Sequence, residues 1–195
     1  MTDGGIRLIV GLGNPGPQYE LTRHNVGFWL VDRLAAREGV AFRHEAKLHG
    51  SLCRVTLAGQ DLRLLKPTTF MNRSGQSVSA TARYFAISPE QILVAHDELD
   101  LPPGAVRLKH GGGHAGHNGL RDSIQQLGSR DFWRLRIGIG HPGDKAQVIG
   151  YVLDRAPREQ EVAIRDAIDK AEGSLEDLIE GGFQRAMNRL HGPTR

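Results

Sequence analysis

The sequence predicts an α/β protein, a single domain with a twisted, mixed, largely parallel sheet and helices on both faces. Helix and strand patterns alternate along the chain, which is typical of such sheets. The strand patterns are short, apolar and rich in β-branched residues, as buried strands are. A chain of 195 residues can bury one sizeable core, and no internal repeat divides it, so we expect residues 1–195 to form one domain.

The first half of the chain predicts a strand, a helix and a hairpin. Residues 6–11 form an apolar run that ends in a glycine-proline loop, as a buried central strand does. In residues 22–39 apolar side chains recur at helical spacing, with Thr22 able to cap the helix and Gly39 able to end it. Residues 51–57 and 62–66 alternate around a glycine-containing turn, which predicts a hairpin.

The second half continues the alternation of helices and strands. Residues 92–95 predict a short buried strand that ends at the polar residues His96, Asp97 and Glu98. The other predicted elements are strands 106–109 and 133–140 and helices 74–86, 118–127, 157–171 and 174–188, with a break near Gly173. Ligands collect at the carboxyl ends of parallel strands, and the residues around Asn14, Asp97 and the glycine-rich loop 110–117 all follow strands. We therefore expect one shared cleft.

Composition narrows the class of protein. The N-terminus lacks a cationic start followed by an apolar stretch, and nowhere do about eighteen apolar residues run together, so we expect a cytoplasmic protein without a membrane partner. The lone cysteine, Cys53, has no intramolecular disulfide partner and reads as a buried strand residue. The net charge of +3 says little by itself, because a polyanion partner requires a clustered positive face.

One motif suggests a dinucleotide-binding enzyme but lacks the context for it. Residues 11–16 match the pattern G-x-G-x-x-G directly after the first strand. In that fold the last glycine opens a helix that faces a pyrophosphate, whereas here Pro15 and Pro17 flank Gly16 and the predicted helix starts only near Thr22. The acidic residue expected about twenty residues later would be Asp32, which lies inside that helix. We therefore reject this function.

Six spaced motifs follow one another along the chain. They are Gly11-Leu12-Gly13-Asn14-Pro15-Gly16, Thr22-Arg23-His24-Asn25, Lys66-Pro67-Thr68-Thr69-Phe70-Met71-Asn72, His96-Asp97-Glu98-Leu99-Asp100, Gly111-Gly112-Gly113-His114-Ala115-Gly116-His117-Asn118-Gly119 and Arg136-Ile137-Gly138-Ile139-Gly140-His141-Pro142-Gly143. Jointly they resemble the bacterial peptidyl-tRNA hydrolases, and the likeness runs in order from about residue 6 to residue 190. Two departures, Arg73 after Asn72 and His110 before the glycine loop, concern only the substrate channel.

The resemblance implies hydrolysis of the ester that joins a peptide to the terminal ribose of tRNA. It makes His24 the general base and Asp97 the carboxylate that orients its ring; a neutral imidazole can accept a proton from water near neutral pH. Asn14 would sense the acylated amino group, while Asn72 and Asn118 would hold the substrate near the ester, as neutral amides can. Taken singly, His24 reads as an exposed helix residue, Asp97 as a turn residue and each asparagine as a turn or cap.

The remaining implied site residues bind peptide or tRNA. Tyr19 and Phe70 would line the channel for the peptide and terminal nucleotide, although Phe70 also reads as a core residue, and Met71 would support Asn72. The family grips phosphates around the glycine loop, which implies that role for Lys109, Arg136 and Lys145, with Arg107 and Arg121 as further candidates. The implied protein is a monomer whose partner is peptidyl-tRNA.

Other chemistries fit the sequence less well. His110, His114 and His117 suggest zinc, but they lie in a glycine-rich loop and no H-E-x-x-H motif is present. No G-x-S-x-G elbow or P-loop occurs, and Cys53 has no evident activation, so we expect no covalent nucleophile, metal or cofactor. The alternative of another class is a non-catalytic RNA-binding protein on the same fold, which could lose His24 and Asp97 while keeping its basic residues.

Overall fold

The computed structural model describes residues 4–191, which form a seven-stranded sheet with helices on both faces. Along the chain the strands are β1 Leu8–Gly11, β2 Arg43–Glu45, β3 Gly50–Leu57, β4 Gln60–Pro67, β5 Ile92–Glu98, β6 Val106–His110 and β7 Trp133–Gly138. The helices are α1 Val26–Arg37, α2 Ser74–Tyr84, α3 Asn118–Leu127, α4 Val148–Val152, α5 Arg158–Glu172, α6 Leu175–Ile179 and α7 Phe183–His191. The predicted α/β class is confirmed.

The sheet has a parallel centre and antiparallel edges. Its strand order is β2-β3-β4-β1-β5-β7-β6, in which β4, β1, β5 and β7 run parallel. The hairpin of β3 and β4 extends one edge, and β6 pairs antiparallel with β7 at the other. The mixed, largely parallel sheet is as predicted, and the carboxyl ends of β1 and β5 lie side by side.

Alternation along β1 divides the core between the two faces of the sheet. Ile9 belongs to the apolar cluster that α1, α5, α6 and α7 cover, whereas Leu8 and Val10 belong to the cluster under α2 and α3. All three side chains are fully buried. Burying each contributes roughly 1.5–3 kcal/mol, so the short β1 is anchored from both sides.

Helix α1 starts later than the sequence pattern predicts. Residues Arg23–Asn25 form a 3-10 turn, and the α-helix begins at Val26. Thr22 does not cap it, because its hydroxyl donates instead to the carbonyl of Tyr19 at 2.8 Å. The helix ends as expected before Gly39, whose φ of 66° is in the left-handed region that glycine favours.

The predicted C-terminal helix 174–188 is wrong as a single element. It is split into α6 and α7, because Gly181 adopts a left-handed φ of 81° that ends the first helix. Two further elements, β2 and α4, carry patterns too short for prediction. Within residues 4–191, no helix combines the length and apolar character needed to cross a bilayer.

Strand β5 is longer than predicted, and this places the polar residues differently. It runs from Ile92 to Glu98, so His96 and Asp97 lie inside the strand and are buried. The extension exists because β7 continues alongside it, with Asp97 opposite Ile137. In the sequence, polar residues after an apolar run predict a loop. Here they remain in the strand, because the neighbouring strand supplies hydrogen-bond partners for their backbone groups.

Candidate active site

A buried carboxylate between two imidazoles forms the centre of the candidate site. Asp97, on β5, has a side chain only 2% exposed. Its Oδ2 lies 2.9 Å from Nδ1 of His24, which the 3-10 turn before α1 supplies. Its Oδ1 lies 2.8 Å from Nε2 of His117, which directly precedes α3. Three distant chain segments therefore meet at one carboxylate.

The hydrogen bonds determine which nitrogen of each ring carries a proton. An ionised carboxylate only accepts, so Nδ1 of His24 donates to Asp97, and the other nitrogen, Nε2, is a free acceptor in the neutral ring. The backbone N–H of Leu120 donates to Nδ1 of His117 at 3.2 Å, so the proton of that ring is on Nε2 and is donated to Asp97. Both tautomers follow from the contacts.

The same contacts shift the pKa values of the pair. Burial alone would lower the pKa of His24, but the charge and hydrogen bond of Asp97 outweigh it and raise the pKa above its ordinary 6.5. Burial alone would raise the pKa of Asp97, but His24 and His117 overcome that effect and hold it well below its usual range. Asp97 is therefore ionised near neutral pH, and it stabilises an imidazolium at His24.

Asn14 is held rigidly beside this cluster. Its Oδ1 accepts from the backbone N–H of Met71 at 2.8 Å. Its own backbone N–H donates to Oδ1 of Asn25, and its carbonyl accepts from Nδ2 of Asn25, each at 2.9 Å. Its Oδ1 thus accepts one hydrogen bond already, while its Nδ2 has no hydrogen-bond partner among the described residues and is available to a ligand.

The two aromatic residues predicted to line the substrate channel, Tyr19 and Phe70, contact each other. The ring centroids of Tyr19 and Phe70 lie 6.4 Å apart in an edge-to-face arrangement. Phe70 is 59% exposed, so the interpretation of this residue as part of the core is wrong. Aromatic surface left open to solvent can pack against an apolar side chain or a base.

Three further predicted substrate residues, Asn72, Asn118 and Met71, are next to residues already described: Asn72 and Met71 follow Phe70, and Asn118 follows His117. Asn72 and Asn118 are exposed, and Asn118 is the first residue of α3. The cap of that helix is His117, not Asn118, which leaves the amide of Asn118 outside the capping hydrogen bond. Met71 is buried and packs against Gly119: a Cβ on Gly119 would lie 2.6 Å from the sulfur of Met71.

The family model described as peptidyl-tRNA hydrolase matches residues 8–195. The chain belongs to the peptidyl-tRNA hydrolase family. It is 55% identical to a peptidyl-tRNA hydrolase of Vibrio parahaemolyticus over 187 residues, which cover 95% of each chain. It is 58% identical to one of Pseudomonas putida, covering 95% of this chain and 96% of that relative. The crystal structure of peptidyl-tRNA hydrolase from Acinetobacter baumannii matches with a TM-score of 0.93 and 51% identity, covering 96% and 95%. The predicted family is confirmed.

The lysine and arginine residues predicted to bind phosphate have different surroundings. Lys109 and Lys145 are exposed, and within residues 4–191 neither has a carboxylate within 4.0 Å. Arg136 instead donates from Nε to Oε1 of Glu98 at 2.9 Å, and its Nη2 contacts the same oxygen. Part of its charge is therefore already compensated. Arg107 is half-buried and Arg121 is exposed.

Sequence reasoning missed three residues that organise the site of this hydrolase-family chain. His117 was considered only as a zinc ligand, yet it is the second partner of Asp97. Asn25 holds Asn14, and His96 is buried with its Nδ1 donating to the carbonyl of Asp97 at 2.8 Å. All three lie within the motifs that carry the family resemblance, and this was the feature of the sequence that could have identified them.

The three histidines of the zinc alternative do not assemble a site. Among the described residues, the ligating atoms that lie within 4.8 Å of one another belong to His24, Asp97 and His117. In that group both carboxylate oxygens already accept ring N–H groups, so a metal would have to replace both hydrogen bonds. Cys53 is no better placed for chemistry, since burial raises the pKa of its thiol to about 11.

Proposed function

We propose that the chain hydrolyses the ester of peptidyl-tRNA with His24 as general base and without a metal. The observation that carries this proposal is the contact of Asp97 with Nδ1 of His24 at 2.9 Å, which leaves Nε2 free to accept a proton. The side chain of His24 is 13% exposed, so its ring is not fully enclosed by protein. A non-catalytic RNA-binding protein would need neither the buried carboxylate nor the ring oriented by it.

The proposed reaction moves one proton through His24. Nε2 removes a proton from water while the water oxygen bonds to the ester carbonyl carbon. Asp97 stabilises the resulting imidazolium, as its effect on the pKa of His24 requires. The tetrahedral intermediate then breaks its bond to the ribose oxygen, which takes the proton back from His24 and leaves as the hydroxyl of free tRNA. Positioned acid-base catalysis of this kind is worth roughly 10²–10⁴ in rate.

Asn14 is proposed to distinguish peptidyl-tRNA from aminoacyl-tRNA. Its Oδ1 already accepts from the amide of Met71, whereas its Nδ2 has no hydrogen-bond partner among the described residues, so the N–H donors of Nδ2 are the groups that we propose meet the substrate. These can donate to the carbonyl of an acylated amino group. A free ammonium has only donors and a positive charge, so it cannot accept a hydrogen bond from Nδ2.

The surrounding residues are proposed to hold the rest of the substrate. Asn72 and Asn118 would bind the peptide backbone near the ester, with Met71 keeping Asn72 in place. Tyr19 and Phe70 would pack against the first side chain or the terminal base. Contacts to phosphates from Lys109, Lys145 and the free nitrogen of Arg136 would give affinity without sequence preference, as an enzyme for many tRNAs needs. We expect a monomer of one domain, residues 1–195, acting in the cytoplasm.

The test is hydrolysis of N-acetyl-aminoacyl-tRNA by wild type and by His24→Ala. We expect the variant to lose roughly 10²–10⁴ in kcat, because the water is no longer activated. His44→Ala is the matched control, since His44 is an exposed histidine on β2 with no hydrogen bond to Asp97 or Asn14, and it should retain the wild-type rate. Equal rates for wild type and His24→Ala, or no hydrolysis by either, would refute the catalytic proposal.

A further inference from the structure

Arg134 is a buried cation for which the proposed reaction has no use. It lies on β7, is 2% exposed, and packs over the ring of Phe132 at 4.6 Å. Within residues 4–191 no carboxylate lies within 4.0 Å of it, and its Nε has no hydrogen-bond partner. Burial lowers its pKa to about 10, helped by the charge of Arg130, so it remains protonated near neutral pH.

Packing alone does not explain this residue. Removing a cation from water without a counterion is unfavourable, and an apolar side chain of similar size would be stable in such a place. The neighbouring strand adds to the problem, because Lys109 lies directly opposite Arg134 in the register of β6 and β7. Like charges at directly opposite positions destabilise a strand pair. The arrangement therefore indicates a function.

The guanidinium holds the backbone of the glycine-rich loop. Its Nη2 donates to the carbonyl of Gly112 at 2.7 Å, and its Nη1 donates to the carbonyl of Gly113. In a planar trans peptide the N–H points opposite to the C=O. Because these two carbonyls face inward to Arg134, the N–H groups of Gly113 and His114 face the other way.

The outer side of this loop offers donors without acceptors. In the described part of the chain, the N–H groups of Gly113 and His114 have no backbone or side-chain acceptor. A Cβ at Gly113 would meet nothing within 4 Å, so the space there is open. The ammonium of Lys109 packs on the same loop, since a Cβ at Gly112 would lie 2.8 Å from its Nζ. Two amide donors and a cation on the same loop suit the oxygens of a phosphate.

We propose that Arg134 is a positioning residue that holds the loop so that the N–H groups of Gly113 and His114, together with Lys109, bind one phosphate of the RNA. This inference rests on the proposed function and extends it, because it assigns phosphate recognition to backbone amides and to a cation that never touches the substrate. Backbone donors recognise the phosphate and not the base, so the site fits any tRNA.

The experiment separates phosphate recognition from ester chemistry by using two substrates. N-acetyl-aminoacyl-tRNA carries the phosphates, whereas N-acetyl-aminoacyl-adenosine carries the same ester and no phosphate. For Arg134→Met we expect KM for the tRNA substrate to rise about tenfold with kcat within about twofold, and unchanged kinetics on the adenosine substrate. Arg134→Lys, which keeps a charge and a donor, should restore part of the lost affinity.

Matched variants exclude general effects of charge and folding. Arg83→Met removes one positive charge from an exposed position on α2 and should leave both substrates unaffected. If Arg134→Met does not fold, Gly113→Pro deletes one of the proposed donors while leaving both carbonyls for Arg134, and should raise KM selectively for the tRNA substrate. A tRNA substrate without its 5′-phosphate then identifies which phosphate is bound. If variant and wild type have the same KM for this substrate, the bound phosphate is the 5′-terminal one.

Two results would overturn the inference. One is a rise in KM of the same size on both substrates, and the other is a variant that loses thermal stability while its KM values stay at those of wild type. If instead the wild-type protein hydrolyses neither substrate, the proposed function itself fails. The two failures are therefore distinguishable.

Discussion

Asp97 helps to determine the tautomer of both histidines that it contacts. It is ionised and buried, and each of its oxygens accepts one ring N–H, from His24 and from His117. A carboxylate in this position does more than add charge, because it determines which nitrogen of His24 can act as a base. It also raises the pKa of that ring above 6.5, so kcat/KM should fall as the pH drops through this raised value and His24 becomes protonated.

The variant Asp97→Asn tests this effect. An amide can present its N–H₂ to Nδ1 of His24, which would force the ring proton onto Nε2 and remove the base. We expect kcat to fall roughly 10²–10⁴-fold. The residual activity should titrate at lower pH than in wild type, because burial then lowers the pKa of His24 without opposition from a carboxylate. A pH profile of kcat/KM measures both effects, and an unchanged acid limb would contradict the assignment.

At the scale of elements, the start of α3 and the active site share one residue. Nδ1 of His117 accepts from the N–H of Leu120 and so caps the helix, while Nε2 donates to Asp97. The helix therefore orients the ring that in turn holds the carboxylate. Losing a helix cap costs about 1 kcal/mol, so a change to alanine would mix a folding effect with a catalytic one.

The variant His117→Asn separates these two roles. Asparagine is among the best N-cap residues, but its side chain is too short to reach Asp97 as the imidazole does. We expect kcat to fall by about tenfold and the helix cap to be retained, so the melting temperature should fall only by the lost hydrogen bond to the carboxylate, which is worth roughly 1.5–3 kcal/mol. Thermal unfolding and steady-state kinetics on the same preparation are the measurements. Wild-type kcat in this variant would remove His117 from the positioning machinery.

His96, on strand β5, makes the stability of the fold depend on pH. Burial, with a contribution from the charge of His117, lowers the pKa of His96 to about 3, while in the unfolded chain it returns to its ordinary 6.5. Between these values the unfolded state binds a proton that the folded state does not. The His96 contribution to the free energy of unfolding therefore decreases as the pH falls, by up to about 1.4 kcal/mol per pH unit.

Urea unfolding at about pH 7 and about pH 5 measures this term. Between these pH values, the free energy of unfolding should fall by roughly 1–2 kcal/mol more in wild type than in His96→Gln, because glutamine does not titrate. The comparison between the two proteins cancels contributions of opposite sign, such as that of His24, whose raised pKa favours the folded state at low pH. Equal losses in both proteins would show that His96 is not the titrating group.

At the scale of the whole molecule, one sheet joins two apolar clusters. The cluster under α2 and α3 and the cluster under α1 and α5 to α7 are the two faces of the same strands, so neither can lose its packing without exposing the other. This continuity supports the proposal that residues 1–195 are a single domain. It also explains how the 3-10 turn before α1, strand β5 and the loop before α3 are held against each other at Asp97.

The single-domain proposal predicts one cooperative unfolding transition. In differential scanning calorimetry we expect one peak whose calorimetric and van't Hoff enthalpies agree. Ile9→Ala removes a buried side chain from one cluster. It should lower the free energy of unfolding by roughly 2–5 kcal/mol and leave a single transition. Two separate transitions in either protein would contradict the single-domain proposal.

The sequence determined the alternation of elements, the buried strand β1, the hairpin and the ordered motifs, because each depends on residues close together in the chain. Only the tertiary structure decided the contacts of Asp97 with His117, of Asn14 with Asn25, and of Arg136 with Glu98, together with the full length of β5. These depend on strands and loops that become neighbours only when the sheet is assembled. Hydrogen bonds act over about 3 Å in space, whereas sequence patterns report only on neighbours along the chain.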